Sequence, residues 1–245
     1  MKRTPLRVLA LSAMAALTFT PSARADVEVG YGLDLVSAYV WRGITFTEGL
    51  VHQPSITVAH SNGFSLNVWG TMDLDDYNGI EGEFFEVDIT LSYAFPTNGK
   101  VSFEVGMIDY LFPNFKGAET KEVYASVGWD LRIAPTVAVY YDFDEFEDFY
   151  ATFSIASSIA LGRDNLSFDW ELLAAYAGDD FAIANGGGTG GGLFNGLATA
   201  ALTYAPDEGW TVSGFVAYTD SLDTDVLVEQ PVDLFAGVSF SRTFN

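Results

Sequence analysis

The stretch Phe84-Phe85-Glu86-Val87-Asp88-Ile89-Thr90-Leu91-Ser92-Tyr93-Ala94-Phe95 alternates without a break. Phe85, Val87, Ile89, Leu91, Tyr93 and Phe95 share one face, and Glu86, Asp88, Thr90, Ser92 and Ala94 share the other. Successive side chains on a strand point to opposite sides. One face is therefore apolar and the other carries acid. The same period-2 pattern recurs about twelve times between Asp26 and Phe244. It suits a closed barrel in a bilayer, with lipid outside and a wet or hydrogen-bonded lumen inside.

The pattern predicts strands at 26–41, 50–60, 63–73, 83–95, 100–112, 120–130, 135–143, 148–160, 165–177, 195–205, 209–219 and 231–244. Each is close to, or longer than, the roughly 9–11 residues that a tilted membrane strand needs. Ser61-Asn62-Gly63, Pro96-Thr97-Asn98-Gly99, 130–135, Gly162-Arg163-Asp164-Asn165 and Pro206-Asp207-Glu208-Gly209 read as tight turns. Longer connections fall at 42–49, 74–82, 113–119, 144–147, 178–194 and 220–230. Short and long connections alternate, so both chain ends lie on the short-turn side, which is periplasmic in bacterial barrels. The fold class is all-β: a closed, antiparallel, up-and-down transmembrane barrel of about twelve strands.

The first 25 residues read as a signal peptide. Lys2, Arg3 and Arg7 precede the apolar run 8–20, and Ala23-Arg24-Ala25 supplies a cleavage pattern before Asp26. No later stretch reaches 18 apolar residues, so a membrane-spanning body of 26–245 must be a barrel. Cleavage after Ala25 leaves seven bases against 33 acids, a formal charge of −26. That excludes the positive surface nucleic-acid binding needs. Charged residues are 18% of the chain, below the ~25% typical of soluble domains. There is no cysteine.

Rings mark two bands. Tyr39, Trp41, Phe112, Phe143, Phe149, Tyr176 and Tyr218 lie near the long-loop ends, and Phe95, Trp129, Phe168, Trp170, Tyr204, Trp210, Phe240 and Phe244 toward the short turns. Interfacial girdles take this form. A soluble β-sandwich would alternate too, but it would bury most of these rings. Its polar face would also carry Lys and Arg, where here it is mostly Ser, Thr, Gly, Ala and acid.

Inward parity collects the pore-lining candidates Glu28, Asp34, Glu86, Asp88, Glu104, Glu122, Asp169, Glu171 and Asp233. Unpaired carboxylates in a narrow lumen concentrate cations. Trp69, Tyr110, Leu173, Phe215 and Phe235 share that parity and could instead fill the lumen, so open and plugged interiors both stand. The acidic loop clusters around Asp73–Glu83, Asp142–Asp148 and Asp220–Asp225 read as a solvated surface bridged to lipopolysaccharide by divalent ions. Asp73 to Gly79 resembles half of a calcium loop, but its Gly is misplaced and Tyr77 takes a ligand position, so no metal site is assigned. Residues 186–192 read as a flexible glycine-rich loop, not a phosphate loop.

Catalysis has little support. The two histidines are His52 and His60; His60 sits at a periplasmic turn, and His52 lies near the outer rim with Ser55 pointing inward below it. No catalytic residue and no cofactor is assigned.

The segment Ser37-Ala38-Tyr39-Val40-Trp41-Arg42-Gly43-Ile44-Thr45, with Gln53-Pro54-Ser55 in the following strand, resembles the opening motif of the TorF-like family of outer-membrane porins. The resemblance implies an outer-membrane barrel of Gram-negative type with a transport role, and singles out Tyr39, Arg42 and Gly43. Arg42 follows an interfacial Trp and reads first as snorkelling to lipid phosphate; turning inward to a lumen carboxylate is the alternative. The last strand, ending on Phe244, resembles the signal read by the barrel-assembly machinery, with Arg242 in place of an apolar residue. The function expected is a porin-like channel for small solutes or cations. The alternatives are a closed structural or surface-interaction barrel with divalent-cation-binding loops, and a lipid hydrolase.

Overall fold

The computed structural model describes residues 26–97, 99–162, 165–206 and 209–244. The signal-peptide segment 1–25, the turn residues Asn98, Arg163, Asp164, Asp207 and Glu208, and Asn245 lie outside the described residues.

Twelve strands close into one antiparallel barrel. They are β1 (Val27–Val36), β4 (Val51–His60), β5 (Phe64–Asp73), β6 (Phe84–Ala94), β7 (Val101–Leu111), β8 (Thr120–Trp129), β9 (Thr136–Asp142), β10 (Phe149–Ala160), β11 (Leu166–Ala177), β12 (Gly192–Tyr204), β13 (Trp210–Ser221) and β14 (Leu234–Phe244). Each pairs with its sequence neighbour, and β1 closes the ring against β14, with Val29 opposite Phe244 and Val36 opposite Gly237. Closure leaves no strand edge unpaired, which is what a sheet in hydrocarbon requires. No helix among the described residues is long and apolar enough to cross a membrane.

The two faces are inverted relative to a soluble protein. Val58, Leu66, Ile89, Leu91, Val105, Val139, Leu172, Leu202 and Val238 are exposed outside. Glu86, Asp88, Glu122, Asp169 and Glu171 are buried within. Two ring bands flank the apolar belt. At the long-loop end Phe149 stacks on Tyr176 at 6.1 Å, and Tyr218 is exposed. At the short-turn end Phe64, Tyr93 and Phe95 form a chain, and Trp210 packs on Phe240 at 4.8 Å. The Arg242 guanidinium sits over the rings of Trp210 and Phe244 at 4.4 and 4.5 Å, which reconciles a charge with that face.

Three expectations are corrected. The first predicted strand, 26–41, ends at Val36; Tyr39–Trp41 (β2) and Ile44–Thr47 (β3) form a separate two-stranded hairpin. Tyr39 and Trp41 are consequently buried inside and do not belong to the outer girdle, and Phe112 also packs against the interior cluster. Phe85 is buried too, because the β5–β6 register shifts between Thr71 and Met72 and turns it off the lipid face. Finally, the connection expected over 178–194 holds more than the glycine-rich loop 186–192. It opens with helix α1 (Asp179–Gly186), which carries acids in its first turn and is closed by Gly187 at φ 66°.

Candidate functional site

The β2–β3 hairpin folds into the outer half of the lumen. Its turn residues, Arg42 at φ 51° and Gly43 at φ 82°, both have positive φ, and Trp41 pairs directly with Ile44. This is the two-residue geometry whose twist matches a tight hairpin. Gly43 serves two needs at once. Its φ is costly for other residues, and a Cβ there would stand 2.7 Å from the Cβ of Asn195 on β12.

The turn points across the barrel. Arg42 meets Glu122 on β8, five strands round the ring from β1, while Gly43 abuts β12 on the other side. Both guanidinium ends donate to the Glu122 carboxylate, at 2.8 and 2.7 Å, and the Tyr110 O–H donates to the same carboxylate at 2.8 Å. The guanidinium lies over the rings of Trp41, Tyr140, Tyr150 and Phe181 at 4.3, 4.7, 4.3 and 5.4 Å. Only 8% of the Arg42 side chain and 2% of that of Glu122 are exposed. Burying an unpaired charge costs several kcal/mol. The two-pronged pair and the ring faces offset that cost. Arg42 therefore turns inward and does not snorkel to lipid; the turn ahead of it, absent from the first predicted strand, decides the direction.

The rest of the hairpin is tied down along its length. The Tyr39 O–H donates to Glu86 at 2.8 Å. The Thr47 hydroxyl donates to Asp73 at 2.9 Å, and the Asn78 amide donates to both Asp73 and Thr47. The Thr45 N–H donates to the Gln230 side chain at 3.0 Å. Helix α1 adds Phe181 against the Trp41 and Tyr150 rings, with its N–H donating to Asp148 at 3.0 Å. Leu227 of the β13–β14 connection is fully buried beside them.

Of the lumen carboxylates, Glu122 is ion-paired, Glu86 takes the Tyr39 hydroxyl, and Asp88, Asp169 and Glu171 are buried further along the inward faces. Glu104 accepts the Tyr124 O–H at 2.7 Å and is partly buried, as are Glu28 and Asp34. Asp233 is exposed and precedes β14, so it stands at the rim. Among the described residues Arg42 is the one base directed into the barrel; Lys121 faces outward, paired with Asp144 at 2.8 Å. Trp69 and Tyr110 are buried in the interior cluster, and Leu173, Phe215 and Phe235 pack against it. Toward the short-turn end the inward positions include the polar Thr57, Asn67, Ser126, Ser213 and Ser239 beside Glu28, Glu104 and Asp169.

Of the loop acids expected at a solvated surface, Asp148 anchors α1 and two more are structural. Asp73 is fully buried, and Asp142 accepts the Thr120 hydroxyl at 2.6 Å and the N–H groups of Asp144, Glu145 and Phe146. Among the described residues no group of three or more His, Asp or Glu converges as a metal site. His52 and Ser55 stand on opposite faces of β4 and form no pair, and His60 accepts the Asn62 N–H at 3.1 Å within its turn. Tyr150 was also missed, although it shares the inward parity of its strand. Phe181 and Leu227 were missed because no periodicity in a connecting segment announces burial.

Residues 20–175 match a family described as a bacterial protein of unknown function, Gcw_chp. The chain belongs to this family. No curated protein matches the sequence. In fold the barrel is similar to the KdgM porin in complex with disordered oligogalacturonate. Their TM-score is 0.58 at 11% identity, over 89% of this chain and 99% of that one. It is also similar to the NanC porin, with a TM-score of 0.55 at 12% identity over 88% and 98% of the two chains. The COG4313 outer membrane channel from Pseudomonas putida F1 gives a TM-score of 0.51 at 9% identity over 89% and 94%. These likenesses place the Gcw_chp chain in the porin-type barrel fold.

Proposed function

We propose that this Gcw_chp protein is an outer-membrane channel that passes small solutes by diffusion and prefers cations. The observation that carries the proposal is the lumen within the closed strand ring, lined by inward carboxylates and balanced by Arg42 alone among the described residues. A surplus of inward negative charge concentrates cations and repels anions. The porin-type fold and the resemblance of 37–45 to TorF-like porins support the transport role and the outer-membrane location. Export on a signal peptide, cleaved after Ala25, belongs to the same proposal. So does insertion by the barrel-assembly machinery through β14 and its terminal Phe244, and contact of the exposed loop acids Asp76 and Glu81 with lipopolysaccharide through divalent ions.

Planar-bilayer conductance under a KCl gradient tests the proposal. A reversal potential of cation sign is expected; an anion-selective reversal potential overturns the charge argument. A second reading, a closed barrel with a structural role, is favoured by the buried Arg42–Glu122 crossbar. It predicts no conductance from the intact protein and clear conductance once the hairpin is removed.

A further inference from the structure

At the outer end of the barrel a cavity of about 400 Å³ lies between the hairpin and the ends of β6, β7 and β8. That volume falls in the range of small-molecule sites, ~300–1,000 Å³. Its walls are rings: Phe85 packs on Phe115 at 5.1 Å and on Phe112 at 5.9 Å, and Trp41 and Phe146 complete the lining. Trp41 is nine-tenths buried, and its indole N–H has no acceptor among the described residues. A buried donor without a partner costs roughly 1–3 kcal/mol, which a ligand oxygen would offset.

The charge around the cavity has one sign. Glu86, Glu122, Asp142 and Glu145 line it, and no base does. Arg42 neutralises Glu122; the other three are in no ion pair among the described residues. Glu145 is exposed, with its side chain at the rim. Ring walls next to carboxylates that have no basic partner favour a flat apolar body with a positive group, since the ring faces also attract cations.

We propose that this cavity binds small aromatic amines, the ring stacked among Phe85, Phe112 and Phe115, a ring hydroxyl meeting the Trp41 N–H, and the ammonium facing Glu145. As a statement of which cations the channel selects, this rests on the channel reading. Binding is scored without flux, so an empty cavity and a silent channel are separate results.

The test is an equilibrium titration of the full barrel in lipid nanodiscs with tyramine, p-cresol and 4-hydroxyphenylacetate, which share the ring and hydroxyl and differ in charge. Saturable tyramine binding is expected, with 4-hydroxyphenylacetate at least tenfold weaker and p-cresol between them. Glu145→Gln should bring tyramine to the level of p-cresol, and Phe115→Ala should weaken both. Both variants lie in loops, and heat-modifiable gel migration confirms that they fold. The proposal is overturned by no saturable tyramine binding, by equal binding of the anion, or by tyramine affinity unchanged in both folded variants.

Discussion

Arg42 and Glu122 form the contact on which the interior is organised. Removing one partner leaves the other charge buried and alone, which costs about 3–5 kcal/mol. Arg42→Met is therefore expected to lower stability by about that amount in urea titrations of the micellar barrel, followed by gel mobility. The double variant Arg42→Met/Glu122→Leu should recover most of the loss, because neither charge then remains to be solvated. A double variant no more stable than the single one would show that ring packing, and not the ion pair, carries the energy. Gly43→Ala meets both an unfavourable φ and the Asn195 side chain, and should cost about 1–3 kcal/mol in the same assay. The resemblance to TorF-like porins singled out Tyr39, Arg42 and Gly43 together. Their roles were hidden because a turn of positive φ at Arg42, a non-glycine residue, leaves no mark in an alternation pattern.

At the scale of elements, the hairpin and α1 work as one insert held by the barrel wall. Replacing 38–48 with a short Gly-Ser turn should leave the twelve wall strands paired, since no wall ladder includes β2 or β3. Single-channel conductance is expected to rise several-fold over the intact protein. Unchanged conductance would mean that the hairpin does not obstruct the path. Helix α1 depends on Asp148, whose carboxylate accepts the Phe181 N–H. Asp148→Ala should cost about 1 kcal/mol and should speed amide exchange in α1 while leaving β10 and β11 protected. The alternation that exposed the strands says nothing about such inserts, because their side chains answer to a cavity and not to a two-sided sheet. Phe46 of β3 and Phe181 of α1 lie between wall strands and face the interior.

For the whole molecule, the bilayer sets a depth-dependent cost on outward charge. Ile89→Arg, in the middle of β6, should destabilise the barrel by ~2–4 kcal/mol, and Leu161→Arg, at the short-turn end, by ~0–1 kcal/mol. Equal costs in folding titrations would contradict the placement of the apolar belt. Phe84 to Phe95 shows how far the one-dimensional pattern reached. From Val87 onward its two faces stand as read, with Ile89 and Leu91 exposed and Asp88 buried. At Phe85 the β5–β6 register shift reverses the side, and that shift depends on a partner strand the segment itself does not contain.

The sequence by itself determined the number of wall strands, their order and the inversion of apolar and polar faces. Those follow from a period of two and from turn chemistry, which are local. Only the tertiary structure decided what occupies the space the wall encloses. The direction of Arg42, the burial of Tyr39 and Trp41, and the ring-lined cavity beside Glu86 arise from contacts between residues far apart in the chain, Arg42 and Glu122 among them. A closed lumen brings such residues within reach of one another from all sides, and no repeat along the chain encodes which of them meet.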